Sequence, residues 1–116
     1  MQIGEIGLFT NDVIGLSNFY RSILKINNND DDNETIQFII TQGTGLTIYN
    51  DGQERKANNQ NICLAFTVDD VDAEYERLKA LGVKITEPPT VRPWGAKNMI
   101  FNDPEGNQVI FRSLPK

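Results

Sequence analysis

The stretch ICLAFTVDDVD, residues 62–72, decides the fold of this chain because it joins a strand pattern directly to the start of a helix. Large apolar residues occupy every second position of its first seven residues, which is the period of a half-buried strand. Asp69 and Asp70 follow, and their carboxylates are suited to accept hydrogen bonds from the free N–H groups of a first helical turn. The pattern therefore predicts a strand over 62–68 and a helix over 71–81.

The residues after this helix continue the pattern toward the C-terminus. Gly82 suits the left-handed position that ends many helices. A short strand over 83–85 and a proline-containing loop over 87–95 come next. Strands over 97–102 and 108–113 then form a hairpin around DPEGN, residues 103–107, whose composition is that of a tight turn.

The same pattern occurs 58 positions earlier, in GEIGLFTNDVI at residues 4–14. Asp12 stands where Asp70 stands in the second copy, and strand, cap and helix follow in the same order. We interpret this as an internal duplication of a βαβββ unit. The predicted elements of the first copy are a strand over 3–10, a helix over 13–25, an acidic loop over 26–34, a hairpin of strands over 35–41 and 46–50, and a linker over 51–60.

The composition restricts the chemistry. No histidine is present, which excludes Ser-His and Cys-His nucleophiles and every His-containing zinc site. The net charge of −5 argues against binding to nucleic acid and favours cationic ligands over anionic ones.

Cys63 is the one cysteine, so no intrachain disulfide can form. With no membrane-length apolar run and no signal-peptide pattern at residues 1–5, we expect a cytoplasmic protein.

Three motifs give the chain a resemblance to a known superfamily. The stretch FTVDDVD at 66–72, the triplet PWG at 93–95 and the stretch FNDPEGN at 101–107 are similar to the second module of vicinal oxygen chelate proteins. This superfamily contains the glyoxalases, the bleomycin-resistance proteins and the extradiol dioxygenases. The likeness extends over essentially the whole chain, is most specific over 62–111 and is weakest over 26–34.

The resemblance implies an α+β fold of two tandem βαβββ modules, whose curved sheets enclose a cleft. We expect one domain over 1–116, with module one at about 1–55 and module two at about 60–116. It also implies a homodimer and a small organic ligand in the cleft.

Enzymes of the superfamily hold a divalent metal ion with residues of the first and last strand of each module. Carried over by position, these sites fall on Glu5, Cys63, Ile48 and Ile110. An isoleucine cannot coordinate a metal, and one carboxylate with one thiol is a poor ligand set. We therefore expect no metal and no cofactor.

The predicted function is metal-independent binding of a small molecule, as in bleomycin-resistance-type proteins, and a catalytic role is not the favoured one. Two alternatives stay open. One is an enzyme of the lyase, isomerase or dioxygenase branches, with an atypical metal site or with Glu5 as a base. The other is a non-catalytic interaction protein.

Strand alternation indicates which side chains face the cleft. With residues from neighbouring segments added, the predicted ligand-binding residues are Glu5, Phe9, Phe38, Cys63, Thr67, Trp94, Met99, Ile110 and Arg112.

Three of these residues have an alternative interpretation. Glu5 would bind a cationic group or act as a base, or else form an ion pair with Arg112 on a neighbouring strand. Cys63 has no histidine to activate it, so we expect a small buried apolar residue. Trp94 would stack on a flat ligand or plug the end of a sheet.

Overall fold

A computed structural model describes residues 1–27, 32–56 and 59–115 of the chain. The chain divides into two units, residues 1–56 and residues 57–116. The division falls in the polar segment 51–60 that the sequence predicts as a linker, although the last two residues of that segment already belong to a strand. Residues 57 and 58 of the predicted linker lie outside the described ranges.

The first unit contains a helix and a three-stranded mixed sheet. Its elements are β1 (Glu5–Phe9), α1 (Val13–Leu24), β2 (Ile36–Ile39) and β3 (Gly45–Tyr49). The strand order is β1-β3-β2, with β1 parallel to β3 and β2 antiparallel to β3. The predicted hairpin is therefore confirmed as β2 and β3, and Gly43 in its turn has a φ of +92°.

Helix α1 begins and ends where its sequence predicts. The Asp12 carboxylate accepts a hydrogen bond of 2.9 Å from the N–H of Gly15, which satisfies one donor of the first turn. Lys25 ends the helix in the left-handed conformation, with a φ of 57°. The apolar face of α1 packs on β2 and β3, where Leu16 and Tyr20 are almost fully buried. This packing covers one face of the sheet.

The second unit contains a complete βαβββ arrangement. Its elements are β4 (Asn59–Thr67), α2 (Val71–Ala80), β5 (Ile85–Val91), β6 (Lys97–Asn102) and β7 (Asn107–Ser113). The strand order is β4-β7-β6-β5, with β4 parallel to β7 and the remaining pairs antiparallel. Gly82 follows α2 with a φ of +83°, which confirms the predicted helix end.

Strand β5 corrects the sequence prediction. A short strand over 83–85 and a loop through Pro88 and Pro89 were expected, but one strand runs through both prolines to Val91. β5 lies at the edge of the sheet, where β6 is its one partner among the described strands, in a register that shifts on both sides of Glu87. An edge strand tolerates proline because one side of its backbone needs no ladder hydrogen bonds.

The predicted fold class is confirmed as α+β, with two helices and two mixed sheets in tandem units. The described part of the first unit shows three strands rather than four. The acidic segment 26–34, where the remaining strand of a βαβββ unit would fall, lies partly outside the described residues. Neither α1 nor α2, the helices of the described ranges, has the length and apolar character needed to cross a bilayer.

The turn between β6 and β7 is organised by a buried carboxylate. Asp103, which is 5% exposed, accepts hydrogen bonds of 2.9 Å from the N–H groups of Glu105 and Asn107. Its second oxygen accepts one of 2.8 Å from the Asn107 side chain. The turn composition predicted from the sequence therefore has a structural role.

We expect Asp103→Ala to lower the free energy of unfolding by about 2 kcal/mol, because it leaves buried donors without a partner. Urea denaturation measures this change. The control is Asp69→Ala, which removes an exposed carboxylate of the same unit and should change stability by less than about 0.5 kcal/mol. Equal stability of the two variants would contradict a structural role for the Asp103 bonds.

Candidate functional site

The helix-free face of the first sheet is the side opposite α1. Strand alternation places Glu5, Gly7 and Phe9 of β1 on this face. In β3, the residues paired with these three are, in the same order, Gly45, Thr47 and Tyr49. Phe38 of β2 pairs with Thr47 and lies on the same side. The residues Phe9, Phe38 and Tyr49 are 50%, 47% and 37% exposed. Three aromatic side chains therefore stand on a face that α1 does not cover.

Glu5 is held in place on this face by a hydroxyl group. Its Oε2 accepts a hydrogen bond of 2.7 Å from the Thr47 hydroxyl. Between Glu5 and Phe9, Gly7 contributes no side chain, and a Cβ added to it would contact nothing within 4 Å. Glu5 and Phe9 are four residues apart on one strand, which is about 13 Å at ~3.3 Å per residue. The face thus offers an oriented carboxylate at one end, a gap, and an aromatic ring at the other end.

The Phe9 ring already contacts a cation of the same unit. The Arg55 guanidinium lies 4.6 Å from its centroid, and the Tyr49 ring lies 6.2 Å away on the other strand. The guanidinium also donates to both carboxylate oxygens of Asp51. The Arg55 backbone N–H donates a bond of 2.6 Å to Asn11. This end of the first sheet is therefore suited to a cation over an aromatic ring.

The Arg55 hydrogen bond holds the pKa of the Asp51 carboxyl below its ordinary value of 3.8. A lowered pKa contributes stability that is present above the unfolded value and is lost as the pH falls through the folded value.

We expect Arg55→Gln to raise the pKa of Asp51 toward 3.8, because the charged donor is removed. A carbon-detected NMR titration of the Asp51 carboxyl measures this directly. Arg92→Gln removes an arginine of the second unit and should leave the titration unchanged. If the Asp51 titration in Arg55→Gln matches that of the parent protein, the proposed cause of the shift is wrong.

The helix-free face of the second sheet has a different character. Cys63, Ala65 and Thr67 of β4 lie beside Gln108, Ile110 and Arg112 of β7, and β6 adds Asn98 and Ile100 in register. The opposite side of the same strands is the buried core. The face carries one arginine, several small polar groups and two isoleucines.

Arg112 is positioned by its neighbour on β4. Its Nε donates a hydrogen bond of 3.1 Å to the Thr67 hydroxyl. In the described part of the second unit Arg112 forms no ion pair, whereas Arg92 pairs with Glu87 at 2.8 Å. The Arg112 side chain is exposed, and no carboxylate of residues 59–115 forms an ion pair with it.

The structure corrects three expectations about these faces. Met99 is fully buried, because its register with Phe111 places it on the side of the core. Ile48 is also fully buried and pairs with Leu8 on the side of α1. Cys63 is exposed rather than a small buried residue. In the first two cases the sequence predicts the strand correctly but assigns the side chain to the wrong face.

Trp94 and the predicted Glu5–Arg112 pair also need revision. Trp94 is 71% exposed in the turn between β5 and β6, so the interpretation as a plug at the end of the sheet is wrong. Glu5 and Arg112 were expected on neighbouring strands. Their strands belong to different sheets, because β1 pairs with β3, while β7 pairs with β4 and β6. The expectation of neighbouring strands is therefore wrong.

The register identifies Thr47 as a residue that the sequence reasoning missed. Thr47 pairs with Gly7 in the first sheet, as Ile110 pairs with Ala65 in the second sheet. Thr47 therefore replaces Ile48 as the counterpart of Ile110. Counting alternate residues from the glycine that begins β3 would have found it.

The corrected positions do not fit a divalent metal ion. They are occupied by Glu5, Thr47, Cys63 and Ile110, which supply a carboxylate, a neutral hydroxyl, a thiol and an alkyl group. A protein site for such an ion needs three or four good donors. Over residues 1–27, 32–56 and 59–115, no group of three or more His, Cys, Asp or Glu residues is placed to hold a metal.

Residues 2–111 match the family model of the Glyoxalase/Bleomycin resistance protein/Dioxygenase superfamily. The chain belongs to this superfamily. The match confirms the resemblance inferred from the motifs and covers both units.

Solved structures similar to this superfamily member confirm the fold. One, described as a conserved domain protein, has a TM-score of 0.83 at 24% identity, with 98% of this chain and 99% of the other covered. A family enzyme from Burkholderia phytofirmans PsJN has a TM-score of 0.82 at 16% identity, with 98% and 99% covered. A lactoylglutathione lyase from Agrobacterium tumefaciens has a TM-score of 0.73 at 20% identity, with 97% and 92% covered. At these identities the likeness extends to the fold alone, and no curated protein matches the sequence.

Proposed function

We propose that this superfamily member binds a small organic molecule without a metal ion, in the manner of bleomycin-resistance-type proteins. The observation that carries the proposal is the helix-free face of the first sheet, where an oriented carboxylate accompanies three exposed aromatic rings. Small-molecule sites commonly combine apolar and aromatic surface with a few placed polar groups.

The aromatic residues favour a flat ligand. Phe9, Phe38 and Tyr49 keep between a third and a half of their surface exposed, although rings of this size are stabilised by burial. A planar molecule laid against the sheet would remove much of this surface from water at about 25 cal/mol per Å². The gap at Gly7 leaves room for such a molecule beside the Glu5 carboxylate.

The charge of the face favours a cationic group on that ligand. Glu5 accepts a hydrogen bond from Thr47 but forms no ion pair in the described part of the first unit. A ligand ammonium would complete its coordination with a charge-assisted hydrogen bond.

We expect Glu5→Gln to weaken binding of 2-naphthylmethylammonium about tenfold, which is ~1.4 kcal/mol, because the ligand cation loses its charged acceptor. Titration calorimetry measures the affinity. Binding of the uncharged analogue 2-naphthylmethanol should be almost the same in Glu5→Gln and in the parent protein.

The matched control is Glu34→Gln, which removes the same charge from an exposed position before β2. It should leave both affinities unchanged, so a loss common to the two variants would indicate a general effect of net charge. Undiminished binding of the ammonium probe by Glu5→Gln would remove Glu5 from the site.

Native mass spectrometry of untagged protein, purified without chelators, tests the metal-independent and dimeric parts of the proposal. Because one of the four ligand positions is an isoleucine and another a neutral hydroxyl, we expect no stoichiometric divalent ion. The resemblance to the superfamily predicts the mass of a dimer. A retained organic adduct would identify the ligand class. One divalent ion per chain would contradict the proposal, and a monomer mass would contradict the dimer.

A further inference from the structure

The second unit carries a cation, Arg112, that would bind an anionic group, whereas Glu5 would bind a cationic one. Arg112 lies on the helix-free face of its sheet, exposed to solvent, with Nε bonded to the Thr67 hydroxyl. No described residue of the second unit forms an ion pair with it. Without a carboxylate partner among the described residues of its unit, Arg112 is available for an external anion.

The Thr67 bond fixes the direction in which Arg112 can act. Because Nε is engaged with Thr67, the two terminal nitrogens present the edge of the guanidinium that binds a carboxylate through two parallel hydrogen bonds. The Thr67 oxygen accepts the Arg112 bond, so its own hydroxyl hydrogen stays available as a further donor. The pair therefore offers three donors from adjacent positions of β4 and β7.

The surroundings of the pair are apolar on one side. Going away from Arg112 along β7, the next residue on the same face is Ile110, which pairs with Ala65 on β4 and with Ile100 on β6. Glu87 on β5 is engaged with Arg92 at 2.8 Å and does not neutralise the face. A single cation beside aliphatic residues suits a monoanion with an apolar body better than a phosphate dianion, which calls for several cationic groups.

We propose that Arg112 and Thr67 bind the carboxylate of a small organic acid whose apolar part lies on Ile100 and Ile110. The inference rests on the proposed function, because it assumes a superfamily member that binds a small molecule, and it adds the chemical class recognised by the second sheet. Arg112 makes the contact, and Thr67 holds its guanidinium in orientation.

The test uses 2-naphthoate and its neutral analogue 2-naphthamide with the full-length protein. In ¹H–¹⁵N spectra, 2-naphthoate should shift the backbone amides of residues 65–67, 98–100 and 110–112 in a saturable way, and 2-naphthamide should do so at least about tenfold more weakly. Equal affinity for the two probes, or no saturable shift with 2-naphthoate, would overturn the carboxylate assignment.

Variants of Arg112 and Thr67 distinguish the effect of the positive charge on binding from the effect of side-chain orientation. Arg112→Gln should weaken 2-naphthoate binding about tenfold, and Arg112→Lys should restore only part of it, because lysine lacks the planar fork. Thr67→Val keeps the side-chain shape but removes the hydrogen-bond acceptor that orients the Arg112 guanidinium. The affinity for 2-naphthoate should therefore fall toward that for 2-naphthamide, and the affinity for 2-naphthamide should not change. Lys84→Gln removes an exposed charge elsewhere in the unit and should change nothing. Unaltered 2-naphthoate binding by Arg112→Gln would refute the role of Arg112.

The same spectra distinguish failure of this inference from failure of the proposed function. If 2-naphthylmethylammonium shifts the amides of β1 and β3 while 2-naphthoate shifts none, the carboxylate site is wrong and the proposed function stands. If neither probe binds, both are wrong. Well-dispersed spectra of each variant show that it folds.

Discussion

The constraint on which the rest of the structure depends is that, within residues 1–27, 32–56 and 59–115, a helix packs on one face of each sheet and not on the other. The strands β1 and β4 alternate apolar and other residues with a period of two, and the apolar set packs against α1 or with the core of the second unit. Every residue of the other parity is then placed on the helix-free face. The candidate binding residues owe the face on which they lie to this alternation.

The parallel pairing of first and last strands extends this constraint across each sheet. β1 pairs with β3 and β4 pairs with β7 in a register that aligns residues of one parity with residues of the same parity. Glu5 and Thr47 come together in this way in the first sheet, and Thr67 and Arg112 in the second. In each sheet a threonine hydroxyl orients a charged group, with opposite charge and opposite hydrogen-bond role. The two pairs do not stand at equivalent positions, because Thr67 and Arg112 are paired in register as Phe9 and Tyr49 are, so the chemistry of the two faces differs.

The metal positions of the superfamily show the same divergence. The scaffold keeps the strands that carry ligands in the metal-dependent enzymes, but this chain places a hydroxyl and an alkyl group at two of the four positions. A binding function is compatible with such a change, whereas a metal-dependent reaction is not.

The sequence by itself determined the order of elements, the two hairpins, the superfamily and both helix N-caps, since Asp12 caps α1 and Asp70 accepts bonds from the N–H groups of Asp72 and Ala73 in α2. Period-two and helical alternation, capping aspartates and turn residues are all local signals. Strand alternation also places Phe9, Thr67, Ile110 and Arg112 opposite the apolar set of their strands, as the register has them, and their role in binding a ligand stays a prediction. Only the tertiary structure decided the rest. The register with Phe111 puts Met99 on the core side, and the edge position of β5 allows Pro88 and Pro89 within a strand. The partners of Glu5 and Arg112 lie 42 and 45 residues away in the chain, and pairings at that separation are set by which strands the sheet brings together.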